Sequence, residues 1–188
     1  MKNYQDIDYG PLEELIGTWK GNQGTDIAPG LKGVDNNSYY ETIVFEEAGS
    51  VLNANEQKLA VLHYRQIVRM ESNDEIFHDQ TGYWHWDADQ NILMHSFVIP
   101  RAVNVIAGGA YSGKTDENGR RVLEVQAKLA DPHWGIVQSP FMSKKASCVE
   151  FHQTIIVGDR KMSYSQTSLI DIYGKMFEHT DENELFRK

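Results

Sequence analysis

The chain has 188 residues, 40% hydrophobic and 24% charged with 5 prolines, a soluble globular composition that we expect to form one domain over residues 1–188. Its formal net charge of −9, from 27 acidic against 18 basic residues, repels phosphates and anionic headgroups and so disfavours nucleic acid and membrane surfaces as partners. No apolar run approaches the roughly 20 residues that span a bilayer, the opening lacks the apolar core of a signal peptide, and the lone Cys148 fits a reducing compartment, so a cytoplasmic location is expected.

The first element is "GPLEELIG", where Pro11 lies early and Gly17 can end a short helix. "GTWKGNQG" follows as a strand opening, and its glycines imply that backbone or ligand must approach closely. Residues 22–38 read as a long first connection, either a lid or a flap over a mouth. Strand patterns then recur at eight to twelve residues with turn chemistry between them, from "YYETIVFEEAG" through "KLAVLHYRQIVRM", "IFHDQTGYWHW" and "ILMHSFVIP" to "VNVIAGGAYS". "RVLEVQAKLA", "SCVEFHQTIIV", "KMSYSQTSLIDIY" and a last segment from Met176 complete the series, with "ENG" at 117–119 and "GD" at 158–159 as hairpin turns. About ten hairpin-linked strands with little helix point to an all-β fold, an antiparallel up-and-down barrel, because closure removes exposed edges. A two-sheet sandwich is the structural alternative. "DPHWGIVQSPFM", residues 131–142, breaks the rhythm with two prolines and is read as a loop over one barrel end, either gating a pocket or simply packed.

"GGAYSGKT", Gly108 to Thr115, satisfies the spacing of a phosphate-binding loop. That chemistry needs a helix starting at the lysine, and "DENGRRVLEV" turns into another strand instead, so a plain hairpin loop is expected. There is no Gly-x-Ser-x-Gly elbow, no HExxH and no paired-cysteine zinc motif. Alternation puts His63, Arg65 and Arg69 on one face of their strand, which that basic set assigns to solvent. Trp84 and Trp86 share a face opposite Tyr83 and His85 and are wall or core residues, although a flat aromatic ligand suits them too. His95 alternates with Leu93 and Phe97 and is expected inside as a candidate ligand-pocket residue, although a buried histidine is usually just hydrogen-bonded. Cys148 reads as an inert small hydrophobe.

A Gly-x-Trp after a short helix is typical of calycin-type barrels, with Trp19 as a plug across the closed end. The longer series "LEELIGTWKGNQG", "YYETIVFEEAG", "LAVLHYRQ" and "FHDQTGYWHWD" resembles the nitrobindin family, haem-binding barrels related in fold to fatty-acid-binding proteins. The opening is one residue longer than that family's pattern before its last glycine, and the first connection is also longer. The resemblance implies a lipocalin-like barrel holding haem b, with His179 in "FEHTDENELFRK" as the iron ligand and Thr42 near the haem. It also implies nitric oxide binding or isomerisation of peroxynitrite to nitrate. The competing expectations are a non-haem carrier of a small hydrophobic ligand, and a barrel filled by its own side chains.

Overall fold

The computed structural model describes residues 7–30, 33–172 and 174–188. Its strands are β1 (Gly17–Gly30), β2 (Gly33–Asn53), β3 (Gln57–Met70), β4 (Ile76–Asp87), β5 (Ile92–Ile99) and β6 (Val103–Ala110). They continue as β7 (Arg121–Leu129), β8 (Gly135–Gln138), β9 (Ala146–Gly158), β10 (Lys161–Ile172) and β11 (Lys175–Arg187), with one α-helix, α1 (Pro140–Lys145). These strands close into a barrel in the order β1-β11-β10-β9-β7-β8-β6-β5-β4-β3-β2.

The barrel therefore has eleven described strands rather than about ten, and it is mixed rather than purely antiparallel. The extra strand, β8, lies inside the 131–142 segment and pairs parallel to β7 and antiparallel to β6. It is needed because β6 and β7 pair directly only at Gly108↔Gln126. Beyond that point the two strands part, and β8 supplies partners to backbone groups that would otherwise be orphaned. Ser139 then caps α1 by accepting from Met142 N at 3.3 Å, and Pro140 sits in its first turn, where no donor is lost. The 22–38 segment is likewise not a loop but a hairpin, since β1 runs to Gly30 and β2 starts at Gly33; Leu31 and Lys32 of that reading lie outside the described residues.

One end is plugged. The "GPLEEL" segment is a single 3₁₀ stretch, Gly10–Leu15, rather than an α-helix, and it buries Leu12 and Leu15 completely. Trp19 is fully buried beneath it and donates its indole N–H to Leu15 O at 2.7 Å. Arg187 covers the indole face at 4.9 Å and also donates to Glu14 O, which ties the last strand to the plug. Trp86 belongs to the same end, with its ring packed so closely on Gly10 that any Cβ there would collide with it.

The glycines of the opening strand are explained by close approach. A Cβ on Gly21 would meet Glu184 O at 2.4 Å, and one on Gly24 would strike the Tyr39 ring at 2.1 Å. Between them the β1–β2 register shifts, so the residue in excess of the family pattern falls at a bulge. At "GGAYSGKT" the structure has the end of β6, a loop and an isolated bridge at Thr115, with no helix, as the hairpin reading expects.

Candidate functional site

The end opposite the plug contains a cavity of about 530 Å³, inside the range typical of small-molecule pockets. Its walls are largely apolar, with Val68, Phe77, Phe97, Val105, Phe151 and Ile170 among the lining residues. Met142 reaches it from α1, so the 131–142 segment is both a packed connection and part of the cavity wall. Arg101 and His78 stand among these apolar residues, and burial pushes the His78 imidazole towards its neutral form.

His179 lines this cavity. It lies in a regular part of β11, paired opposite Ser168 of β10, so the polar "HTDENEL" run is strand and not turn. Its Nε2 is 2.7 Å from Asp26 Oδ1 and 3.6 Å from Asp181 Oδ1. Asp26 accepts a second hydrogen bond on Oδ2 from Asn37 Nδ2 at 2.8 Å. Sheet register produces this grouping, because Asn37 and Asp181 are the cross-strand partners of Asp26 on its two sides. Burial alone would raise the Asp26 carboxyl, but hydrogen bonds from His179 and Asn37 outweigh it and hold the group below its usual range. Burial would likewise depress His179, and the Asp26 hydrogen bond with the charges of Asp181 and Asp26 raises it instead. Asp181 is pushed up to about 7, mainly by burial and further by the Asp26 charge.

The polar row continues around the barrel. Gln166 Nε2 donates to Asp181 Oδ2 and Gln153 Nε2 to Gln166 Oε1, both at 3.3 Å. Deeper in, Glu41 is buried and accepts from Gln66 Nε2 at 2.6 Å, Asn183 Nδ2 at 2.7 Å and Tyr164 Oη at 2.9 Å. Burial raises its carboxyl above the usual range despite these donors. Tyr39 and Tyr164 share a hydrogen bond of 2.7 Å, and both line the cavity with Gln66 and Gln80. The cavity thus has apolar walls, a polar floor and a histidine held by carboxylates.

The other residues singled out in sequence fall elsewhere. His95 is buried below the cavity floor, stacked on Trp84 at 4.3 Å, with Nε2 2.7 Å from Tyr64 Oη. Trp84 and Trp86 are core, as their shared face implied, and Trp19 is a plug residue outside the cavity lining. Thr42 is placed on the outer face of β2, half-buried between inward Glu41 and Ile43 and opposite exposed Lys20; the cavity-lining residues of that strand are Asn37 and Tyr39. His63 is on the outer face with Arg65, as expected. Cys148 lines the cavity, and burial raises its thiol to about 11, so it is not a thiolate. Sequence reasoning missed Asp26, Asn37 and Asp181. The first two lay in a segment read as a loop, where alternation has no meaning. Glu41 was readable, since it alternates with Ile43 and Phe45.

A closed barrel plugged at one end, with a largely apolar cavity and two histidines, His78 and His179, on its wall, defines a small-ligand-binding barrel. Residues 8–187 match the family described as the THAP4-like, heme-binding beta-barrel domain, and the chain belongs to that family, the nitrobindin-like barrels. Among solved structures, the crystal structure of Rv2717c from M. tuberculosis is similar with a TM-score of 0.70 at 19% identity, covering 96% of this chain and 99% of that one. At that identity the likeness is one of fold. A search of curated proteins gave no match. No helix among the described residues is long and apolar enough to cross a membrane.

Proposed function

We propose that the cavity binds ferric haem b, with His179 as the one protein ligand to the iron. The observation that carries this is a histidine on the wall of a largely apolar cavity in a chain of a haem-binding family. The donor chemistry fits: imidazole suits iron, the apolar walls suit a macrocycle, and Arg101 offers a cation for carboxylate edges. Haem held there by His179 would supply the chemistry for binding nitric oxide or for converting peroxynitrite to nitrate. In this reading the chain's own residues bind and shield: Val68, Phe97 and Val105 keep water from the ligand, and Asp26 holds the His179 ring by one nitrogen.

Hemin titration followed by Soret absorbance, on the natural chain and His179→Ala side by side, tests the reading. A stoichiometric shift lost in the variant is expected. Weak, nonsaturating absorbance identical in both would remove His179 as the ligand. A non-haem carrier of a small hydrophobic ligand is the second reading, favoured by one observation: His179 Nε2 already has a partner in Asp26. It predicts no hemin uptake and a co-purifying molecule seen by native mass spectrometry.

A further inference from the structure

We propose that Asp26, itself fixed by Asn37, is the positioning residue for His179, orienting its ring and strengthening it as an iron donor. This rests on the haem reading above and adds to it a residue that the sequence pattern did not reveal.

The geometry is specific. Both oxygens of Asp26 are used, Oδ2 by Asn37 Nδ2 at 2.8 Å and Oδ1 by His179 Nε2 at 2.7 Å. Asp181 stands further from the same nitrogen, at 3.6 Å, so Asp26 is the acceptor that directs the ring. Asp26 is 3% exposed, and a buried carboxylate is strongly unfavourable unless it is hydrogen-bonded; here His179 and Asn37 satisfy its two oxygens. An imidazole that gives its Nε2 proton to a carboxylate hydrogen bond keeps its lone pair on Nδ1, so the bond sets which nitrogen donates. A carboxylate in that position also makes the ring more basic and favours the ferric over the ferrous metal, because negative charge accumulates on the donor.

The position of Asp26 in the chain supports the same conclusion. It and Asn37 face each other across the first hairpin, the segment that is longer here than in the family pattern. Strand β1 continues past its bulge to Gly30, and the register that follows aligns Asp26 with Asn37 on one side and Asp181 on the other. The lengthened hairpin, which suggested a flap in sequence, therefore adds a carboxylate to the histidine's surroundings.

The test uses the full chain loaded with hemin, comparing Asp26→Asn, Asp26→Glu and His179→Ala. Three quantities are read: hemin affinity, the iron–histidine stretching frequency of the ferrous form by resonance Raman, and the reduction potential. Asp26→Asn is expected to keep a Soret band, weaken hemin binding about 10- to 100-fold, lower the stretching frequency and raise the potential. Asp26→Glu is expected to return frequency and potential towards those of the natural chain. If His179→Ala loses the Soret band while Asp26→Asn keeps the natural frequency and potential, the role of Asp26 is overturned and the haem reading survives. If His179→Ala keeps the band, both fall. Should Asp26→Asn not fold, Asn37→Ala frees one oxygen of Asp26 and is expected to shift the frequency in the same direction by less; no shift there overturns the proposal.

Discussion

His95 and His179 show how one residue type takes two characters within a single barrel. His95 is enclosed by Trp84, Phe97 and Phe151, and burial, reinforced by nearby His85, pushes its imidazole down to about 3. The unfolded chain holds this proton at about 6.5. Between the two values the unfolded state carries the proton and the folded state does not, so His95 favours folding fully above about pH 6.5 and progressively less as pH falls towards 3. The slope is about 1.4 kcal/mol per pH unit within that window. His95→Phe removes the titrating group while keeping an aromatic ring, so urea midpoints at pH 4.5 and pH 7 should differ less than in the natural chain. An equal difference in both proteins would show that His95 is not the source. His179 has the opposite bias, because the carboxylates of Asp26 and Asp181 outweigh its burial.

At the level of elements, the opening strand carries the clearest steric argument. Gly24 lies against the ring of Tyr39, whose hydroxyl joins Tyr164 in the cavity floor. Gly24→Ala forces that ring aside, and overpacking of this kind typically costs about 1–3 kcal/mol. A lowered urea midpoint is expected, together with weaker hemin binding because Tyr39 lines the cavity. Unchanged stability and binding would show that the ring moves freely. The short β8 illustrates why sequence periodicity failed in the middle of the chain: four residues are too few to display alternation, and "GIVQ" is defined as strand only by the gap between β6 and β7. The 3₁₀ form of Gly10–Leu15 has a similar origin, since Leu12, Leu15 and Trp19 must all reach the core within a few residues.

Across the whole molecule, the two ends of the barrel have separate tasks. The plugged end holds Trp19, Trp86 and the 3₁₀ segment, and the open end holds the cavity and its carboxylate–histidine group. Filling the cavity should therefore separate ligand capacity from stability. Val68 is buried on the cavity wall, and Val68→Phe projects added bulk into that space. Hemin affinity is expected to fall about tenfold or more while the thermal midpoint stays level or rises, since cavity filling commonly stabilises. Natural affinity in this variant would place haem elsewhere. The acidic net charge of −9 also makes Arg101 a notable cation among the residues lining the cavity.

Most strand positions, the hairpin turn at 117–119 and, one residue early, the turn that follows Gly158, the interior placement of Trp84, Trp86 and His95, and family membership were legible in sequence. Each depends on local alternation, turn chemistry or a run of neighbouring residues. Positive φ at Gly119 and Asp159 is the backbone form of those turn signals, whereas Gly158 is still strand and Arg160 takes the second positive-φ position. The grouping of Asp26, Asn37, His179 and Asp181 was not legible, because its members are as much as 155 residues apart along the chain. Only the closing of β1 against β11, with its register past the bulge, brings them together. The sequence by itself determined the barrel and its tryptophan plug, through patterns that repeat along the chain. The tertiary structure alone decided which face Thr42 takes and which carboxylate holds His179, because cross-strand register is settled by pairing and not by composition.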